Sequence, residues 1–107
     1  MIEKLCVKFL LPLKYNDGKD IEPYKFKQVK QELLDNFGAF TIHPFSIEGG
    51  WIDPENDIKY FDRTKLFEIT IDNTEENEQF LEKYKKKLKK RFDQREIYMT
   101  VAIVKQI

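Results

Sequence analysis

The stretch LFEITIDNTEENEQFLEKY, residues 66–84, changes its hydrophobic period in mid-course, and that change decides the fold. Up to Asp72 it alternates, with Phe67, Ile69 and Ile71 on one side and Glu68, Thr70 and Asp72 on the other. That is the period of a β-strand with one buried face. Beyond it the apolar residues recur at three and four, so Phe80, Leu81, Tyr84, Leu88 and Phe92 gather on one side of a helix. Between the two, Asn73 or Thr74 is placed to cap the helix. Glu75, Glu76 and Glu78 fall in its first turns and lysines toward its end, the order that complements a helix dipole.

The same two periods organise the rest of the chain. In EKLCVKFLLPL, Leu5, Val7, Phe9 and Leu11 alternate with Lys4, Cys6, Lys8 and Leu10 until Pro12 stops the pairing, which reads as a first strand. Turn chemistry follows at Asp17-Gly18. Pro23 suits a first helical position, Phe26, Val29, Leu33 and Phe37 recur helically, and Gly38 is placed to close that helix. AFTIHPFSIEGGWI reads as a second strand, bent at Pro44 and bulged at Gly49-Gly50, which returns through DPEND into the long strand ending at Asp72. EIYMTVAIV closes the chain as a fourth. The order predicts one domain over residues 1–107, an α+β ferredoxin-like βαββαβ two-layer sandwich: an antiparallel four-stranded sheet with two helices on one face.

The 107 residues are 41% hydrophobic, 14% aromatic and 36% charged, which is the composition of a folding chain and not of a disordered one. Cys6 is the single cysteine, so no internal disulfide is possible. The start MIEKLCVKFLLPL lacks the apolar core and cleavage site of a signal peptide, and the expectation is a cytoplasmic protein. No apolar run approaches the roughly 20 residues that a spanning helix needs, so no membrane is expected as partner.

Nineteen basic side chains balance nineteen acidic ones, yet Lys83–Arg91 holds seven bases and no acid. Lys83, Lys86, Lys89 and Lys90 are the candidate polyanion contacts. Helical spacing turns Lys86, Lys89 and Lys90 directly away from the core, as on a solvated helix face, and no glycine-rich or aromatic element is interleaved with them. Where RNA-reading sheets carry aromatics on their open face, this chain has Cys6, Lys8, Glu68 and Thr70. Nucleic acid is therefore a possible partner but not the favoured one.

The open sheet face should display Lys8, His43, Glu68 and Tyr98, with Thr41, Thr70 and Thr100. His43 and Glu68 could work as an acid–base pair with Tyr98 as donor, but no spacing rule supports it, and no catalytic residue is assigned. Asp53, Glu55, Asp57 and Asp62 cluster in a turn, but a calcium loop would need glycine and glutamate where Ile58 and Thr64 stand. No metal site and no cofactor are expected. Trp51 is expected to cap the core, and Gln94 to satisfy backbone groups after the second helix. Leu10, Ala102 and Val104 make the open face half apolar, so the expectation is a non-enzymatic binding or accessory module working as a homo-oligomer, a homodimer in its simplest form.

FGAFTIHP, GGWID, YFD, FEITI and LKKRFDQREIYM together resemble a pattern found in small uncharacterised bacterial proteins of unknown function, over most of the chain from about Tyr15. The resemblance implies a single α+β domain and carries over no catalytic residue. Small endoribonuclease-like proteins associated with CRISPR systems also use a ferredoxin-like dimer, with an aspartate at the end of strand one. Here Pro12 and Leu13 occupy that place, which argues against a nuclease.

Overall fold

The computed structural model describes all 107 residues, Met1–Ile107. Its elements are β1 (Ile2–Pro12), α1 (Pro23–Phe37), β2 (Thr41–Ile42), β3 (Ile47–Ile52), β4 (Lys59–Asp72), α2 (Glu75–Arg91) and β5 (Met99–Gln106). The sheet is antiparallel, in the order β2-β4-β1-β5, with β3 also paired to β4. It thus has five strands, not the four expected, because the second expected strand is two. Thr41 and Ile42 pair with Glu68 and Phe67, and the His43 N–H still reaches the Leu66 carbonyl at 3.0 Å. Pro44, with no N–H to give, breaks the ladder. Pairing resumes only at Ile47 opposite Thr64.

Alternation in β1 and β4 sorts the two sheet faces. Leu5, Val7, Phe9 and Leu11 of β1 join Phe67, Ile69 and Ile71 of β4 in the core, together with Val29 and Leu33 of α1 and Leu81, Tyr84 and Leu88 of α2. Both helices therefore pack on the same face of the sheet, giving two layers. Phe9 and Phe67, paired across neighbouring strands, stack at 5.2 Å between ring centroids, and Tyr84 meets Phe9 edge-on at 6.4 Å.

Local chemistry sets the helix ends. Gly38 takes φ 78° and its N–H donates to the Leu34 carbonyl, closing α1. Of the two candidate caps for α2, Thr74 serves: its side chain accepts from the Asn77 N–H at 3.1 Å. After α2, Asp93 adopts a left-handed φ of 49°, a conformation aspartate tolerates better than most side chains. The Gln94 side chain donates to the Phe92 carbonyl at 3.0 Å, the backbone role anticipated for it. The last strand begins at Met99, later than its sequence pattern indicated, although the Tyr98 carbonyl already accepts from the Leu10 N–H at 3.0 Å.

The helices are clipped to each other by one carboxylate. Glu32 on α1 receives both arms of Arg91 on α2 at 2.6 and 2.7 Å, the Tyr84 hydroxyl at 3.1 Å, and an ion pair from Lys87 at 2.9 Å. The guanidinium of Arg91 holds the Glu32 carboxyl down at about 2. Burial and the Glu32 charge push the Tyr84 hydroxyl well above its ordinary range. No helix is long and apolar enough to cross a membrane.

Candidate functional site: the cleft under the hairpin

β4 is longer than the core needs. Its residues from Thr64 to Asp72 pair with β1, but Lys59–Arg63 run on past the end of β1, paired only with β3. Every residue of β3 is exposed. On the face that continues the open side of the sheet, this hairpin presents Trp51 opposite Tyr60 and Asp62 opposite Gly49. Trp51 and Tyr60 stack with centroids 4.8 Å apart and planes 20° from parallel. Trp51 is 36% exposed and does not belong to the core, so the expectation that it caps the core is corrected. The hairpin carries the ring beyond the reach of either helix, and its only large apolar neighbour in the ladder is another exposed-strand aromatic.

The hairpin turn is fixed from below. The carboxylate of Asp53, the one buried acidic group, accepts the Glu55 N–H through Oδ1 at 2.9 Å. Its Oδ2 has no hydrogen bond but lies 2.9 Å from Arg95 Nε, so charge alone holds it there. Arg95 also pairs with Glu55. Asp57 closes the turn with φ 58°, and its N–H donates to the Asp53 carbonyl at 2.8 Å. The acidic group expected to be a solvated turn is thus partly a buried anchor, tying the hairpin to the segment between α2 and β5. No group of acids, His and Cys is arranged to hold a metal ion.

Between hairpin and segment lies a cleft made of two adjoining hollows of about 200 and 110 Å³. Both hollows share Trp51, Asp62, Gln94 and Glu96; Tyr60, Asn16 and Arg95 complete the first, and Leu10, Thr64 and Tyr98 belong to the second. Glu96 is fixed by Lys85 at 2.9 Å, which holds its carboxyl below the usual carboxylate range. An aromatic pair can stack on a planar ring. The carboxylates of Asp62 and Glu96 can accept N–H groups or offset a positive charge, and the side-chain carbonyl of Gln94 is free to accept. On the far side of the hairpin a third hollow of about 420 Å³ runs between Tyr60, Phe61 and the turn at Tyr15–Gly18.

The four expected open-face residues are distributed along the sheet. Lys8 and Glu68 are cross-strand neighbours, with Nζ and Oε1 3.6 Å apart, and Thr41 flanks Glu68 on its other side. The next row runs from His43 through Leu66 and Leu10 to Tyr98. His43 and Tyr98 thus stand on opposite sides of two strands, about 14 Å apart at strand spacing. His43 keeps a buried Nε2 with no partner, and Tyr98 reaches the cleft. Cys6 donates to Glu68 at 3.8 Å, and burial with that carboxylate pushes its thiol pKa up, which makes a poor nucleophile.

On α2 the lysine run is divided by its partners. Lys85 pairs with Glu96, and Lys87 and Arg91 with Glu32. Lys83, Lys86 and Lys90 are exposed and Lys89 is half-buried, and none of the four has an acidic partner. Sequence reasoning missed Asn16, Tyr60, Arg95 and Glu96. The signal available was the pair of aromatics in GGWID and KYFD, in a hairpin whose alternation offers no apolar partner layer to bury them.

No family model matches the chain, and no curated protein matches it. Among solved structures it is similar to a phage SAM lyase in complex with S-methyl-5'-thioadenosine. The TM-score is 0.68 at 8% sequence identity, over 96% of this chain and 90% of that one. At that identity the likeness is one of fold.

Proposed function

We propose that this chain is a small-ligand-binding domain that works as a homo-oligomer, and that its ligand seats in the cleft under the β3–β4 hairpin. The observation that carries this reading is the Trp51–Tyr60 stack, with Trp51 exposed and Tyr60 half-buried, held beside two carboxylates by a hairpin that adds nothing to the core. Leaving so much aromatic surface in water costs burial energy that a ligand recovers. The ligand chemistry that suits the site is a planar heteroaromatic ring with N–H donors or a cationic tail. The structurally similar phage protein was solved with such a ring system, so S-methyl-5'-thioadenosine is the first ligand to try. The architecture fits a ferredoxin-like βαββαβ in which the second strand is broken into β2 and β3, both laid along β4.

Oligomer formation is supported by the uncovered sheet face with Leu10, Ala102 and Val104, by the unpaired outer edge of β5, and by exposed Tyr98, Val101 and Ile103. Lys8 and Glu68 already pair, which makes burying that face tolerable. A reducing cytoplasmic setting suits the lone Cys6.

The fold likeness to a lyase favours a second reading, a small enzyme acting on a ligand of the same class. Tyr98, which borders the smaller hollow of the cleft beside the Lys8–Glu68 row, is then a donor to the bound molecule, with His43 on the far flank. The Lys83, Lys86, Lys89 and Lys90 face is the electrostatic alternative, and it predicts salt-sensitive polyanion binding lost on reversing Lys86, Lys89 and Lys90.

Trp51 is the only tryptophan, so its fluorescence reports the cleft directly. Saturable quenching by S-methyl-5'-thioadenosine, abolished by Asp62→Asn with Glu96→Gln, is the expected result. An unchanged spectrum at millimolar ligand, with the chain folded, contradicts the assignment. Appearance of a degraded nucleoside product in the same mixture decides for the enzyme.

A further inference from the structure

A cavity much larger than the hairpin cleft, about 650 Å³, opens between the first half of α1 and the β2 side of the sheet. That is the size of a typical small-molecule site and well above a packing void. Its apolar lining comes from Leu13, Ile21, Phe26 and Ile42, with the deeply buried Phe67 at its floor. Three ammonium groups border it: Lys27 and Lys30 from successive turns of α1, and Lys65 from β4.

None of these three lysines has a carboxylate within ion-pair distance, so their charge is free to meet a ligand. Lys65 donates only to the Pro44 carbonyl, at 3.2 Å. The single acid on the rim, Asp20, already faces Lys14 at 3.8 Å. An apolar chamber bordered by unpaired positive charge is complementary to a molecule with an apolar body and one anionic end. The apolar part gains from leaving water, and the anion gains from several ammoniums at once.

We infer that the cavity between α1 and the β2–β4 edge binds a small amphipathic carboxylate, its apolar body against Phe26, Ile42 and Phe67 and its anionic end among Lys27, Lys30 and Lys65. A volume of about 650 Å³ is that of a free small molecule's site. The site shares no residue with the hairpin cleft, so it stands or falls independently of the proposal made for that cleft.

The test is calorimetric titration of the whole chain with decanoate below its micelle concentration, with decanol as the uncharged control. Backbone amide shifts recorded in parallel locate the binding. Decanoate is expected to bind at one site, with decanol at least tenfold weaker. Lys27→Glu with Lys30→Glu should weaken decanoate at least tenfold and leave decanol unchanged, because both side chains are exposed and their loss costs little folding stability. The shifts should fall on Leu13, Ile21, Ile42 and Lys65. Absence of decanoate binding, equal affinity for decanol, insensitivity to the charge reversal, or shifts confined to Trp51 and Glu96 would each overturn the inference.

Discussion

The two halves of β4 obey the same alternation and meet different fates. From Leu66 to Asp72 the strand pairs with β1 throughout, and with β2 at Phe67 and Glu68, and sends Phe67, Ile69 and Ile71 under two helices, where all three are nearly inaccessible. From Lys59 to Arg63 its partner strand is β3 alone, none of its residues joins the core, and Phe61 is left 81% exposed. The pattern of side chains along a strand determines which residues share a face. Whether that face becomes core or binding surface depends on whether a helix reaches it. The first half is bound to give stability and the second is free to meet a ligand, and substitutions in the two halves should separate accordingly.

The largest effect belongs to the core half. Phe67→Ala removes a ring stacked on Phe9 and should destabilise the fold by about 3–5 kcal/mol in a denaturant titration. Trp51→Ala should cost less than about 1 kcal/mol while eliminating ligand binding in the hairpin cleft. Comparable destabilisation by the two would erase the contrast.

Next comes the clip between the helices. Glu32→Gln leaves Arg91 half-buried without its charge partner and should cost about 1–3 kcal/mol. Because the folded-state Glu32 carboxyl lies at about 2, below the 4.5 usual for glutamate, its stabilisation is complete above the unfolded value. It is lost as the pH falls from near 4.5 through about 2. Thermal melts across that range should show a steeper acid loss in the parent chain than in Glu32→Gln, and parallel curves would show the clip to be inert.

Smaller changes refine the picture of the hairpin and its anchor. A Cβ at Gly50 would meet the Phe61 ring at 3.3 Å, but that ring is exposed and can swing away. Gly50→Ala should therefore shift stability by under about 1 kcal/mol in thermal melts. Asp93→Gly, at the left-handed residue after α2, should add about 0.5–1 kcal/mol if the αL conformation carries the strain usual for a side chain.

The sequence made the core half legible because its signals are local and redundant. Phe67, Ile69 and Ile71 declare their face by spacing, Gly38 declares a helix end, and Asn73-Thr74 followed by acids declares a helix start. The break at Pro44 was legible as a bend but not as a division of one strand into two, since that depends on where β4 continues to offer partners. The cleft was the least legible part. Trp51 carries the same hydrophobic signature whether it caps a core or stands exposed. Only the distance of the hairpin from both helices distinguishes these outcomes, and that distance is set by the overhang of β4 past Pro12. Asn16 reaches the site from the connection between β1 and α1, and Arg95 and Glu96 from the one between α2 and β5, a convergence that no periodicity records. Lys8 and Glu68 were correctly read as sharing a face, and the register makes them neighbours, but it separates His43 from Tyr98 by two strands.

The most direct test is an amide chemical-shift map of the chain titrated with S-methyl-5'-thioadenosine. Shifts concentrated at Trp51, Tyr60, Asp62 and Gln94–Glu96, with Phe67, Ile69 and Ile71 unmoved, are the result expected if one half of β4 serves the fold and the other the ligand. Shifts centred on His43 and Glu68 or on Lys83–Lys90, or no shifts at saturating ligand, would contradict it.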